Sequence, residues 1–217
     1  MKKRKMLKVL SITVLAGMVG YGSVRGISAY FTDTKGKTNT ITVGSVTTEL
    51  EEPEWDKVPD KEKNDITPNH TVKKDPKVTN TGTNDAYIFL EVQVPVKHII
   101  TVGDNGKKLP AADTELFTYR VNKEWVQIEN TKNSDEQGVS AHRYVYAYGT
   151  NTACKALKPK ESTPALFDSI TLVNAIEGQI DETTLEMEIK SYAIQTEDIG
   201  SSHAPADVYK VYVNQNE

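Results

Sequence analysis

The stretch Ala86–Val94, which reads AYIFLEVQV, decides the fold class of this 217-residue chain. Its apolar residues recur at every second position, which is the period of a β-strand that buries one face. The residues of that face are Ala86, Ile88, Leu90, Val92 and Val94. Leu185–Lys190 repeats the alternation, and His142–Tyr148 alternates tyrosines with Val145 and Ala147. The last segment is therefore predicted to be a strand covered in part on both faces.

Turn residues separate these strand segments. Residues 104–106 (Asp-Asn-Gly) predict a hairpin, because Asn-Gly favours the turns that join antiparallel strands. The cluster Thr79–Asp85 predicts a second turn, and Pro95 is expected to limit the strand that precedes it. One helix is predicted near the end, with Pro205 in its first turn. Short strands with such turns indicate an all-β fold, an antiparallel β-sandwich with little helix.

The charge of the chain is divided unevenly along its length. Residues 1–29 hold six of the 26 basic residues and no acid, which leaves 20 bases against 30 acids in residues 30–217. An acidic body lacks the basic surface with which proteins neutralise phosphates, so general binding of nucleic acid is excluded. The one cysteine, Cys154, excludes an internal disulfide framework and a zinc site built from several cysteines.

Residues 1–29 have the layout of a secretory signal peptide. A basic segment, Lys2–Lys5, precedes the uncharged stretch Val9–Val24, and small residues end the segment. The uncharged stretch is short for a membrane span, which needs about 20 residues. We expect cleavage between Ala29 and Tyr30, and a mature chain without a stable membrane span that is secreted to the cell surface or the extracellular matrix. An uncleaved amino-terminal anchor is the alternative.

The start of the mature chain, Tyr30–Leu50, is rich in threonine and prone to form β-structure. Ile41 and Val43 alternate with threonines, and Val46 and Leu50 continue the pattern on the other parity. Such a segment is either the first strand of its own domain or a strand that leaves and pairs with a neighbouring molecule. The chain is divided accordingly into a signal peptide at 1–29, this segment at 30–50 and a β-sandwich domain at 51–217.

The signal junction resembles that of a known family. Ser28–Thr34 (SAYFTDT) and the following Asn39–Val46 are similar to the corresponding region of the TasA/camelysin (CalY-like) family, which comprises secreted proteins of Gram-positive bacteria with SipW-type signal peptides. Further similar stretches, in the same order, are Ile66–Asn69, Val72–Gly82, Ala86–Val94, Leu166–Ile170 and Tyr192–Gln195. These stretches span most of the chain, whereas Glu115–Lys160 departs from the family pattern.

The resemblance implies a jelly-roll-like β-sandwich that polymerises into the fibres of an extracellular biofilm matrix. In such fibres, the segment freed by a SipW-type signal peptidase is expected to complete the sheet of the next subunit. Carried over by position, the donor-strand residues are Ile41, Val43, Val46 and Leu50. The expected partners are further copies of the chain, joined head to tail, with other matrix subunits as additional candidates. The resemblance leaves open whether the chain is a major subunit, a minor subunit or an accessory protein.

An enzyme is the alternative, because camelysins have been classed as surface metalloproteases. The four histidines are at least 28 residues apart, so none has a second histidine at the four-residue spacing of a zinc-protease helix. We therefore assign no catalytic, metal-binding or cofactor-binding residue. The acidic cluster Glu49–Glu54 is predicted to be a solvated surface, and the tyrosines of His142–Tyr148 a core stripe rather than a binding strip. A monomeric matrix adhesin or accessory protein is a third candidate function.

Overall fold

The structure, a computed structural model, describes residues 44–131, 140–181 and 183–216. The strand pairings among these residues are antiparallel, and the prediction of a mainly β fold is confirmed. The strands are β1 (Thr48–Glu51), β2 (Thr71–Lys73), β3 (Lys77–Asn80), β4 (Ala86–Ile99), β5 (Ala112–Glu115), β6 (Phe117–Tyr119), β7 (Trp125–Asn130), β8 (Ala141–Tyr148), β9 (Ser169–Leu172) and β10 (Glu188–Gln195). The helices are α1 (Pro53–Asp56), α2 (Asp60–Asn64) and α3 (Pro205–Asn216). The predicted signal peptide, the cleavage position at Ala29 and Tyr30, and the donor residues Ile41 and Val43 lie outside the described residues.

The largest sheet is built around β4, which is 14 residues long. The strand order is β10-β4-β8-β7, and β5 pairs with the last part of β4. Contrary to the prediction for Pro95, β4 continues past this residue to Ile99. The strand changes partner at this point, since Pro95 is the last residue opposite β8 and Val96 the first opposite β5. The missing proline N–H therefore falls where one ladder ends and the next begins.

The remaining strands form two smaller groups, with the orders β2-β9-β6 and β1-β3. β2 and β3 are separated only by residues 74–76. Within β3, Thr79 lies opposite Glu49 of β1 and also forms an isolated bridge with Ser162. β3 thus has neighbours on both sides, whereas β1 is the terminal strand of its group.

One hydrophobic core joins the β4 sheet to these smaller groups. Ile88, Leu90 and Val92 of β4 are fully buried, and they share a cluster with Val72 of β2 and Ile170 of β9. Burial of a side chain of this size contributes about 1.5–3 kcal/mol. The apolar face identified in the sequence is therefore the face on which the fold depends.

The tyrosines of β8 belong to the same core. Tyr144, Tyr146 and Tyr148 are buried, and the hydroxyl groups of Tyr146 and Tyr119 are 2.9 Å apart. The Tyr144 hydroxyl donates a hydrogen bond to Glu115. The interpretation of these tyrosines as a core stripe is confirmed, because their rings face other core side chains rather than a ligand surface.

The opposite face of the β4 sheet is covered by α3. Val208 and Tyr209 of the helix share a second cluster with Phe89 of β4 and Val145 of β8, and the rings of Phe89 and Tyr209 are 5.1 Å apart. The helix begins at Pro205, as the sequence predicted. Both faces of β8 are therefore buried, which confirms the second expectation for that strand.

The segment Glu51–Asn64 is rich in Glu, Asp, Lys and Pro, a composition that predicts a solvated loop, but the structure is more regular than this. It contains α1 and α2, although neither helix has a buried residue. The buried carboxylate of Asp75 accepts hydrogen bonds from the backbone N–H groups of Glu54 (2.8 Å) and Trp55 (3.3 Å). This carboxylate satisfies the free N–H groups at the start of α1. Asp75 lies 20 residues after Trp55 in sequence, so no local pattern predicts this cap.

Candidate functional site

The two described members of the predicted donor set, Val46 and Leu50, lie against the chain's own core. Leu50 in β1 is opposite Val78 of β3, which is fully buried. Val46 and Leu50 are themselves partly buried and pack against the main hydrophobic cluster. In this structure, residues 44–51 are therefore part of the folded unit that begins at Gly44.

Backbone hydrogen bonds hold this segment along β3 and the turn that follows. Thr47 accepts from the N–H groups of Thr81 (2.9 Å) and Gly82 (3.1 Å), and Ser45 accepts from that of Thr83 (2.9 Å). A Cβ atom at Gly82 would lie 2.4 Å from the Ser45 carbonyl oxygen. Only glycine allows this close approach, so Gly82 is required for the attachment of the first strand.

Two terminal strands, β1 and β10, border one cleft. β1 pairs only with β3, and β10 is the end strand of the order β10-β4-β8-β7, so among the described residues each has an edge without a strand partner. The cleft has a volume of about 440 Å³. Its lining residues are Glu49, Leu50, Glu51, Glu52, Pro53, Asp56, Lys74, Met187 and Ile189. Unpaired strand edges are the surfaces to which an added strand binds.

The polar wall of the cleft is an ion pair that is taken largely out of water. The Lys74 ammonium lies 2.7 Å from Glu52 Oε2, and the two side chains are 9% and 19% exposed. The same ammonium lies 4.8 Å from the centre of the Trp55 ring, which adds a cation–π interaction. The other carboxylate oxygen, Glu52 Oε1, is buried and has no hydrogen-bond partner among the described residues. A buried acceptor without a donor costs about 1–3 kcal/mol.

The remaining polar residues of the cleft carry an excess of negative charge. Glu49, Glu51 and Asp56 are exposed, and together with the Glu52–Lys74 pair they bring the lining to four carboxylates and one ammonium. Leu50, Met187 and Ile189 provide the apolar part. The arrangement suits a ligand that offers backbone hydrogen bonds, apolar side chains and positive charge.

The four histidines lie at separate positions. His70 is 3.5 Å from Glu62, His98 is 2.8 Å from Asp113, His142 is 2.8 Å from Glu115, and His203 is 3.1 Å from the Tyr87 hydroxyl. In the part of the chain that the structure describes, no group of three or more His, Cys, Asp or Glu side chains is placed to hold a metal ion.

Cys154 is a buried thiol rather than an exposed nucleophile. Burial raises the pKa of Cys154 to about 12, so the thiol is protonated at neutral pH. Its side chain is part of the cluster beneath α3, and its backbone N–H donates to the His203 carbonyl oxygen at 2.9 Å. A structural role accounts for this residue.

Sequence reasoning missed most of the cleft. It assigned Leu50 to the donor strand and not to the lining of a cleft, it regarded Glu49–Glu54 as a solvated surface, and it did not single out Lys74 or Met187. The acidic cluster was the available signal. The cationic Lys74 and the apolar Met187 and Ile189 lie about 20 and about 140 residues away in sequence, and only strand pairing brings them together.

The comparisons with known proteins found no relative. No protein-family model matches the chain, and neither the curated proteins nor the solved structures contain a match.

Within the described residues, no helix is sufficiently long and apolar to cross a membrane.

Proposed function

We propose that the chain is a secreted structural subunit of extracellular biofilm matrix fibres. In this proposal the folded unit is a jelly-roll-like β-sandwich of the TasA/camelysin type, and a SipW-type signal peptidase cleaves between Ala29 and Tyr30. The freed segment then inserts as a donor strand into a neighbouring copy. In this proposal the chain is a structural protein and not an enzyme.

The observation that supports the proposal is the cleft lined by residues of β1 and by Met187 and Ile189 at β10, two strands that are terminal among the described residues. A strand added to β1 or β10 gains backbone hydrogen bonds along its length, and its alternate side chains contact Leu50, Met187 and Ile189. The donor and the acceptor are different parts of the same chain. Contacts of this kind do not close on themselves, so repeated addition produces a filament.

The described position of β1 divides the predicted donor segment into two parts. Residues 44–50 are anchored to their own chain through Val46 and Leu50. In the proposal, residues 30–43 are the part that docks onto a neighbour, with Ile41 and Val43 as the docking residues. An extended segment of 14 residues spans roughly 46 Å, at about 3.3 Å per residue. This length is comparable with the width of a small domain, so a neighbouring subunit is within reach.

Electron microscopy of the secreted protein tests the proposal. The wild-type chain is expected to form filaments, and a variant lacking residues 30–43 is expected to remain monomeric. This deletion keeps β1, so the variant should fold with the circular dichroism spectrum and thermal midpoint of the wild-type monomer. A deletion extended to Leu50 would be less informative, because it also removes the strand opposite Val78.

Three outcomes would contradict the proposal. Filaments that persist without residues 30–43 would rule out donor-strand insertion. A wild-type protein that is secreted and stays monomeric would favour an adhesin or accessory protein. Casein cleavage that survives purification and disappears with a chelator would favour a camelysin-like metalloprotease.

A further inference from the structure

We propose that the cleft selects its donor strand by charge as well as by shape, and that its ligand is the segment Lys35–Val43 of a second copy of this chain. This inference rests on the proposed function, because it concerns the recognition step of the same polymerisation. It adds a register, in which Lys35 and Lys37 meet the carboxylates of the cleft while Ile41 and Val43 meet its apolar residues.

The cleft supplies the negative half of the interaction. Its four carboxylates, from Glu49, Glu51, Glu52 and Asp56, are opposed by one ammonium, that of Lys74. The Lys74 charge is already engaged, since it lies 2.7 Å from Glu52 Oε2 and over the Trp55 ring. The lining therefore presents a formal charge of −3 to an incoming strand. A positively charged side chain that approaches this surface is attracted to it.

One atom in the wall is especially suited to a donor. Within the part of the chain that the structure describes, Glu52 Oε1 is buried and lacks a hydrogen bond, whereas Oε2 of the same carboxylate is held by Lys74. On strand binding, a rotation of the Glu52 carboxylate that brings Oε1 to a lysine ammonium or a strand N–H would remove the penalty of an unsatisfied buried acceptor. The free subunit thus has a specific polar position that a bound strand would satisfy.

The segment Lys35–Val43 supplies the complementary half. It reads KGKTNTITV and contains two lysines and no acid. In an extended strand, residues of the same parity share one face. That face carries Lys35, Lys37, Asn39, Ile41 and Val43, so the basic and apolar groups point the same way. The opposite face carries glycine and threonines, which add no competing charge.

The same division exists in the acceptor. The carboxylates of Glu49, Glu51, Glu52 and Asp56 lie in and just after β1, whereas the apolar Met187 lies just before β10 and Ile189 near its start. Lys37 and Ile41 are four residues apart, which corresponds to about 13 Å along a strand. Pairing basic with acidic and apolar with apolar favours the proposed register, and a shift of one residue turns the whole set away from the cleft.

Assembly rates of matched lysine variants provide the first test. The chain that begins at Tyr30 is compared with K35Q/K37Q, and with K107Q/K108Q as a control that removes two exposed lysines from the hairpin at Asp104–Gly106, where no cleft residue lies. Light scattering follows polymerisation at 20 mM and 500 mM NaCl. At low salt, K35Q/K37Q should assemble about tenfold more slowly, because electrostatic attraction raises association rates by this order or more. The control should match the wild type, and high salt should slow the wild type towards K35Q/K37Q.

A conservative variant separates charge from other effects of substitution. K35R/K37R keeps both positive charges and should assemble within about twofold of the wild type. The reciprocal change, E49Q/E51Q, removes two charges from the cleft. Like K35Q/K37Q, this variant should assemble more slowly than the wild type at low salt, and its rate should depend less on the salt concentration. Its monomer is expected to fold normally, since both side chains are exposed.

Zero-length cross-linking identifies the register directly. Filaments grown from an equal mixture of ¹⁵N-labelled and unlabelled chains are treated with a carbodiimide, which joins amines to carboxylates in contact. Mixed-isotope peptides that join Lys35 or Lys37 to the peptide containing Glu49–Asp56 are expected. Cross-links from these lysines that lead only to other acidic residues would overturn the proposed register.

The outcomes distinguish this inference from the proposed function. If the wild-type chain forms no filaments, donor-strand polymerisation itself fails. If it forms filaments whose growth is equal for the wild type, K35Q/K37Q and K107Q/K108Q at both salt concentrations, donor-strand assembly stands and the charge-based recognition is wrong.

Discussion

The two ends of the β4 sheet differ in how their edge strands are protected. At one end, β10 pairs with β4 in an uninterrupted register from Glu188 to Gln195 and borders the cleft with β1. At the other end, β7 shifts its register against β8 between Gln127 and Glu129. Such an irregularity twists an edge and discourages the addition of a further strand. We refer to the β10 end as the cleft side and the β7 end as the closed side.

The closed side is also tied down by polar contacts to a distant segment. The Trp125 indole N–H donates to the Pro164 carbonyl oxygen at 3.1 Å, and the Asn122 backbone N–H donates to that of Leu166 at 2.8 Å. The cleft side instead has an open volume and, among the described residues, an unsatisfied carboxylate oxygen, Glu52 Oε1. The two edges of one sheet therefore differ in the regularity of their pairing and in their polar contacts, and only the cleft side has the features that the proposed strand addition needs.

The largest effect on filament formation is expected from replacing the two apolar docking residues, Ile41 and Val43. Replacing both docking residues, in I41D/V43D, should reduce filament formation by about 100-fold or more, since each lost burial is worth about 1.5–3 kcal/mol. Sedimentation of filament mass measures the loss. The matched control, T40D/T42D, adds the same charge to the other face of the segment, so it should show only the electrostatic slowing of about tenfold and keep the apolar contact that I41D/V43D loses. Equal loss in both variants would contradict the assigned face.

A smaller effect is expected from breaking the ion pair of the cleft side. K74M leaves the Glu52 carboxylate unpaired and should lower the free energy of unfolding by about 2 kcal/mol, a value below that of a fully buried pair because Glu52 keeps some exposure. Urea unfolding of K74M, E52Q and E52Q/K74M measures the coupling. The double variant should recover part of the loss. K73M, at an exposed neighbouring lysine, is the control and should be close to neutral.

On the closed side, W125F removes the indole hydrogen bond to Pro164. The expected loss in the free energy of unfolding is about 1–2 kcal/mol, from one hydrogen bond and a reduced volume. Filament formation should stay close to that of the wild type, because the closed side takes no part in strand addition. A loss of filaments as large as that of I41D/V43D, with a folded monomer, would refute the division into two sides.

The smallest effect is expected at Glu91, whose two carboxylate oxygens both accept hydrogen bonds. Glu91 is buried on β4, and although burial raises its pKa, hydrogen bonds from Gln93, Arg143 and Tyr192 lower the pKa overall. A lowered pKa in the folded state contributes stability above the unfolded-state pKa, and this stability is lost as the pH falls through the folded value. Urea unfolding between pH 7 and pH 3 should therefore show a weaker acid dependence for E91Q than for the wild type. An identical pH profile would contradict this role of Glu91.

Local patterns account for much of what could be predicted. The period of two in Ala86–Val94 predicted both the strand and its buried residues, and Pro205 marked the start of α3. The same rules misjudged Pro95, because the change of strand partner at that residue is a property of the whole sheet. They also treated Glu51–Asn64 as irregular, because the carboxylate that caps α1 belongs to the distant Asp75.

The sequence by itself determined the mainly β character of the chain, the face of β4 that is buried and the position of the last helix. These features depend on residue spacing within a few turns or strands, and a linear chain displays such spacing directly. Tertiary structure alone decided which strand edges stay unpaired and which side chains line the cleft. Glu52, Lys74 and Met187 meet there only because long-range pairing brings β1, β3 and β10 together, and the register of distant strands is not encoded in any local period.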